Sequence, residues 1–331
     1  MNFDKLYKIL EGQPKYRVQQ VKEAIFKKLA SNWSEVTNLS KELKEKLNQE
    51  CPLEIKGQIF SSQASESTKA LITLSDGLKI ETVLLGHKDG RFTVCVSTQV
   101  GCPLDCKFCA TGKMGLIRNL EYGEMINQVL FFSRYLKNNE QRVSNVVFMG
   151  MGEPFLNYDN VMKAIKYLNE DLEIGARRMS ISTSGVLHGI KKFSNEKMQV
   201  NLAISLHAPN DKLRSELMPI NKRFPLDKLF AEVDEYIKKT GRRVMFEYLM
   251  IRGVNDQPHH AQELAKLMKK YLYMVNLISY NPTGVFKASK TADIRKFKEI
   301  LEREGVAVTQ RYSFGRDIEA ACGQLTTENK K

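Results

Sequence analysis

The sequence predicts an α/β protein built on a partial (β/α)6 barrel, with a small helical module ahead of it and a short β extension between the two. Three observations carry that prediction. Short apolar runs alternate with amphipathic stretches along most of the chain, six such strand–helix units can be counted, and the chemically distinctive residues sit at the ends of the apolar runs. Six units are too few for the eight of a complete barrel, so the sheet is expected to stay open. A chain of 331 residues with 42% hydrophobic content can fill a core of that size.

The elements follow in order. "YRVQQVKEAIFKKL" and "LSKELKEKL" carry apolar side chains at helical spacing, giving a helical accessory module over residues 1–58. "KALITLSD" and "LKIETVLLG" alternate with period two between Gly- and Asp-containing turns, giving a β-rich connecting segment over 59–91. From 92 to 317 the strands of the barrel are "RFTVCVST", "VSNVVFMG", "RRMSISTSG", "VNLAISLHA", "RRVMFEYLMI" and "YMVNLISYN". Stretches such as "GEMINQVLFFSRYLKNN", "LDKLFAEVDEYIKK" and "HHAQELAKLMKKY" supply crossover helices, so the strands should run parallel. Residues 318–331 form a C-terminal segment.

The 51 basic and 38 acidic side chains leave a net charge of +13, which favours a polyanionic partner such as nucleic acid or an anionic membrane surface. Arg118, Lys222 and Arg223 are candidate phosphate contacts by position and charge. No apolar run reaches the eighteen or so residues of a membrane span, and "MNFDKLYKIL" lacks the order of a signal peptide, so a cytoplasmic protein is expected. In that compartment thiols stay reduced, and clustered cysteines point to metal or redox chemistry.

The cluster is "GCPLDCKFCATG", with Cys102, Cys106 and Cys109 spaced C-x3-C-x2-C. The spacing is too tight for mutual disulfides, and a structural zinc site wants a fourth ligand nearby, which is not adjacent. A [4Fe-4S] cluster usually takes four cysteines. With three, one iron stays open to a ligand that is not protein, as reductive cleavage of S-adenosylmethionine requires. The pattern, with Phe108 before the last cysteine, resembles the radical S-adenosylmethionine superfamily. "MGMGEP" after the second strand fits this, since its glycines let backbone approach a neighbour closely and Glu153 can meet an ammonium group.

The strings "GCPLDCKFCATG", "VVFMGMGEP", "RRMSISTSG", "ISLHAP", "LMPINKRFPLD", "FEYLMIRGVND", "VNLISYNP" and "DIEAACGQL" together resemble the dual-specificity RNA methyltransferases, from about Ile80 to Leu325. The resemblance implies methylation of adenine C2 in 23S rRNA and in tRNA, in a radical S-adenosylmethionine barrel. It implies a [4Fe-4S] cluster on Cys102, Cys106 and Cys109. It further implies S-adenosylmethionine contacts from Gly152, Glu153, Ser182, Ser205, Leu206, His207 and Asn281.

The chemistry agrees with that implication. C2 of adenine has no lone pair with which to attack a sulfonium, so a carrier must hold the methyl group first, and a thiolate is the natural nucleophile. By resemblance Cys322 is that carrier. Two molecules of S-adenosylmethionine are used per turnover, one as methyl donor and one as radical source, and the activated carrier adds to the base as a transient protein–RNA crosslink. Cys95 then attacks Cys322, forms a disulfide and frees the product, while Glu81 accepts the C2 proton. Cys51 is left as a buried, inert thiol. The resemblance also implies a reductant such as flavodoxin, and a monomer is the default. C8 methylation of the same rRNA base is the nearest alternative, and a non-catalytic iron–sulfur RNA-binding or redox-sensing protein is the alternative of a different class.

Overall fold

Asn2 accepts the Lys5 N–H at 2.9 Å and so caps the first helix, α1 (Phe3–Ile9). Helix α2 (Lys15–Lys22) runs on into a π-helical turn over Glu23–Lys27, and Ser40 caps α3 (Lys41–Glu50). The computed structural model describes residues 1–64, 67–270, 272–311 and 315–327. Trp33, fully buried, donates its indole N–H to the Cys51 carbonyl and centres the helical module.

Three antiparallel strands follow, β1 (Gly57–Ser61), β2 (Ser67–Thr73) and β3 (Lys79–Gly86). They do not form a separate layer. β3 pairs antiparallel with β4 (Phe92–Cys95), placing Val83 opposite Cys95, and β4 pairs parallel with β7 (Asn145–Phe148) on its other side. Between them β5 (Gln99–Gly101) and β6 (Leu116–Asn119) form a small antiparallel pair that brackets α4 (Ala110–Lys113), and α5 (Tyr122–Lys137) crosses over to β7.

The remaining units are regular. Helix α6 (Tyr158–Glu170) leads to β8 (Met179–Thr183), α7 (Leu187–Phe193) to β9 (Asn201–Ser205), and α8 (Asp211–Leu217) with α9 (Leu226–Thr240) to β10 (Val244–Met250). Helix α10 (Pro258–Leu267) leads to β11 (Tyr273–Ser279) and α11 (Thr291–Arg303) to β12 (Val308–Arg311). The ten-stranded sheet runs β1-β2-β3-β4-β7-β8-β9-β10-β11-β12, with every pair from β4 onward parallel. The six strand–helix units are present, and β12 adds a seventh parallel strand at the edge that the sequence pattern did not reveal. Its four residues, "VTQR", are too short and too polar to read as a strand alone.

The helical module packs against the outside of the barrel through aromatic rings. Phe3 lies 5.9 Å from Tyr122 and 5.7 Å from Tyr167, and Asp4 accepts the Tyr122 hydroxyl at 2.7 Å. The sheet itself curls. Arg311 on β12 reaches the sulfur of Met149, just after β7, at 3.6 Å, although five strand spacings would separate those strands by about 24 Å in a flat sheet. Curling brings the C-terminal strand ends around one cavity.

Candidate active site

The cysteine loop grows out of the β5–β6 pair. Gly101 adopts φ +77°, and a Cβ there would stand 1.8 Å from the Gly115 carbonyl oxygen, so only glycine closes the base of the loop. The Cys102 N–H donates to that same carbonyl, and the Cys109 N–H to the Cys106 carbonyl, folding the loop tightly. Phe108 and Cys106 anchor it in a small apolar cluster with Leu217, Leu249, Ile278 and Tyr280. Cys102, Cys106 and Cys109 thereby line the cavity together.

The strand ends supply the cavity's polar walls. Glu153, 2% exposed, accepts N–H groups from Phe155 at 3.1 Å and Ser184 at 2.8 Å, which fixes both carboxylate oxygens while burial pushes its pKa up. Gly152 has φ +99°, and a Cβ would lie 2.6 Å from the Gln99 side chain; Gly150 meets Ser97 in the same way. The close approach for which these glycines are needed is thus to the β4–β5 connection. Ser182 and Ser205 stand side by side on β8 and β9, with hydroxyls 3.4 Å apart. His207, at φ +58°, accepts the Leu249 N–H on Nδ1 and sits edge-on to Phe108 at 4.8 Å. Burial, and secondarily Arg214, lowers its pKa to about 3, so the ring is neutral. Asn281 donates to the Cys322 carbonyl at 3.2 Å and accepts from Arg316 at 2.8 Å.

Cys322 arrives from the far end of the chain. Its segment is held by Ala110 N–H on the Gly323 carbonyl (2.8 Å) and the Thr111 hydroxyl on the Leu325 carbonyl (2.6 Å). Cys95 from β4, Glu247 from β10 and Arg311 from β12 line the cavity with it. Burial pushes the Cys95 thiol up to about 12, the Cys322 sulfur adding to the effect and Arg311 opposing it. Eleven of the thirteen site residues anticipated from the sequence line this one cavity, and Glu81 and Leu206 do not.

The two exceptions have physical reasons. Glu81 is buried on β3 in an ion pair with Lys69 at 2.7 Å and accepts the Thr326 N–H at 2.9 Å, so its carboxylate faces the C-terminal segment. Leu206 is fully buried in the main core, and its carbonyl accepts from Arg214 and Ala208. Arg118 is also spoken for. It makes a bidentate pair with Glu124, at 2.8 Å on both arms, and a third contact with Asp76, which leaves Lys222 and Arg223 as the exposed cations among the three proposed for phosphate.

Comparison with known proteins bears on this arrangement. The Radical SAM superfamily model matches residues 96–268, and the model for the ribosomal RNA large subunit methyltransferase N-terminal domain matches residues 4–53. A protein of Dictyoglomus thermophilum named probable dual-specificity RNA methyltransferase RlmN is 46% identical over 98% of this chain and 94% of its own. One of the same name from Streptococcus mutans is 45% identical over 98% of this chain and 92% of its own. The chain belongs to the dual-specificity RNA methyltransferase family of radical SAM enzymes. The crystal structure of a radical SAM methyltransferase from Sphaerobacter thermophilus superposes with a TM-score of 0.94 at 43% identity, covering 99% of this chain and 98% of that one.

Radical SAM enzymes use a [4Fe-4S] cluster and S-adenosylmethionine, and the site suits both. Three soft sulfur donors stand on one loop, and burial pushes Cys102 up to about 12 and Cys106 well above its ordinary value, a cost that bound iron would offset by stabilising thiolates. No three His, Cys, Asp or Glu side chains among the described residues are grouped closely enough to hold a single ion, while Cys102, Cys106 and Cys109 all line the cavity.

Three residues at the cavity escaped sequence reasoning. Arg214, fully buried, donates to the carbonyls of Ser184, Ser205 and Leu206 and to the Asn221 side chain, clamping the ends of β8 and β9. A lone arginine in a polar helix gives no sign of this. Glu247, a carboxylate inside the apolar run "VMFEYLM", was a legible signal. Arg311 was hidden with its strand.

Proposed function

We propose that this enzyme methylates C2 of an adenosine in 23S rRNA and of one in tRNA, with Cys322 as methyl carrier and Cys95 as resolving thiol. The observation that carries the reading is the meeting of Cys95 and Cys322 in the cavity lined by the three-cysteine loop. The RlmN name and dual-specificity description of the relatives support the C2 assignment and both RNA substrates.

In this reading Cys102, Cys106 and Cys109 hold the cluster, and Glu153, Ser182, Ser205, His207 and Asn281 surround S-adenosylmethionine, with Gly152 shaping the turn that aims Glu153. When bound, these groups supply the methyl group and one-electron chemistry. The chain's own residues do the rest. Glu153 receives an ammonium, its oxygens already aimed by two backbone N–H groups. Neutral His207 offers a hydrogen bond without adding charge. Leu206 acts by fixing the end of β9. Glu81 takes the C2 proton once the Thr326 N–H has moved off it, Lys69 holding the carboxylate meanwhile.

Lys222 and Arg223 neutralise RNA phosphates, and the target base is turned out of its stack to reach Cys322. The module at 1–58 assists RNA docking, the extension at 59–91 carries Glu81, the barrel at 92–317 holds the cofactors and 318–331 delivers the carrier. The enzyme works as a cytoplasmic monomer, reduced by a donor such as flavodoxin, with two S-adenosylmethionine molecules used per turnover.

Chromatography and mass spectrometry of nucleosides from a deletion strain test the proposal. Plasmid-borne wild type should restore 2-methyladenosine and Cys322→Ala should not. An 8-methyladenosine product, or RNA unchanged by the deletion, overturns it.

A further inference from the structure

Arg311 is the only lysine or arginine among the described residues lining the cavity. It stands on β12 in register with Ile278, so its side chain enters from the free edge of the parallel sheet, beside Ile278 on the cavity wall. Its one side-chain hydrogen bond among the described residues is the 3.6 Å contact to the Met149 sulfur. No carboxylate among the described residues lies within ion-pair distance of it. A largely enclosed guanidinium in that position calls for an anion.

Two thiols in the cavity are candidates for that anion. Cys322 and Cys95 share the cavity with Arg311, and the nearest carboxylate in the group, Glu247, is itself committed to Asn276 at 2.8 Å. We propose that Arg311 is a positioning residue that steadies negative charge on the Cys322 sulfur for methyl acceptance. This deepens the carrier reading and rests on it. The electrostatics agree: Cys322 is the largest influence holding Arg311 in its charged form, followed, against the penalty of burial, by Glu247 and Cys95.

The chemical step balances. The Cys322 thiol gives its proton to solvent, and the sulfur electron pair then forms the bond to the methyl carbon. The carbon–sulfur bond of the sulfonium breaks, and its electron pair stays on the departing neutral thioether. A cation that shares the cavity with the sulfur stabilises the negative charge that the step consumes and is released from that charge afterward. A permanently charged guanidinium suits the task because it does not compete for the proton.

The test is alkylation. Full-length chain prepared without iron, so that Cys322 is unmethylated, is reconstituted anaerobically with iron and sulfide and treated with iodoacetamide at neutral pH. Peptide mass spectrometry follows Cys322 and Cys95 separately. Arg311→Met should slow alkylation of Cys322 about tenfold, since the sulfur then loses the one lysine or arginine among the described residues that line its cavity. Arg311→Lys should stay within about threefold of wild type, since a cation remains, and Glu247→Gln should speed the reaction by removing the competing carboxylate.

An Arg311→Met variant that alkylates at the wild-type rate overturns the proposal. If that variant fails to hold iron, the Glu247→Gln rate decides, and an unchanged rate there overturns it. Alkylation needs neither RNA nor S-adenosylmethionine. Slow Arg311→Met alkylation in a chain that never acquires S-methylcysteine would therefore remove the carrier reading and leave the electrostatic one standing.

Discussion

The two ends of the cavity are built in different ways. At one end three cysteines come from a single eight-residue stretch, shaped by glycine geometry at Gly101 and a local turn. At the other end Cys95, Glu247, Arg311 and Cys322 come from β4, β10, β12 and the C-terminal segment, and only the curl of the sheet brings them together. The first end is a property of a loop. The second is a property of the whole fold, so the two should fail separately.

The sharpest way to break that contrast is to remove one sulfur from each end. Cys106→Ser should abolish both iron–sulfur absorbance and methyl transfer, whereas Cys322→Ser should abolish methyl transfer and leave the iron content intact. Loss of iron from the Cys322 variant would show that the ends are not independent. A smaller effect is expected from Arg214→Met, which strips donors from three carbonyls at the β8 and β9 ends and should cost about 3 kcal/mol in denaturant unfolding. A change near zero would mean that water replaces the guanidinium without loss.

The smallest effect concerns pH. Burial raises Glu247, so the folded state keeps a proton that the unfolded chain releases, and this residue's contribution to stability falls as pH climbs from the ordinary carboxylate range toward its raised value. Glu247→Gln should flatten the decline of the unfolding free energy in that window, measured by denaturant unfolding, by at most about 1.4 kcal/mol per pH unit. A steeper decline in the variant would reverse the sign and place the charged form as the favoured one.

The same contrast explains what the sequence disclosed. The cysteine loop, the "MGMGEP" turn and the alternation of strands and helices are contiguous, so spacing and position were enough to read them. Cys322 and Cys95 were legible only through family resemblance, because nothing in "EAACGQL" or "RFTVCVST" says that they meet. Glu81 was named only through the family resemblance; its side chain is turned to Lys69 and Thr326, and pairing partners far away in sequence cannot be read from alternation. Arg118 shows the same limit: its charge was visible, while its ion pairs with Glu124 and Asp76 were not. Arg311 was lost with β12, whose identity as a strand comes from pairing with β11 and not from its own four residues.

The C-terminal segment is fastened on both sides of Cys322. Asp317 accepts from the Ser62 hydroxyl and the Gln63 N–H, and Glu81 accepts from Thr326. A sulfur on so short a leash explores little space, and its effective concentration at the cavity far exceeds what a free thiol reaches in solution.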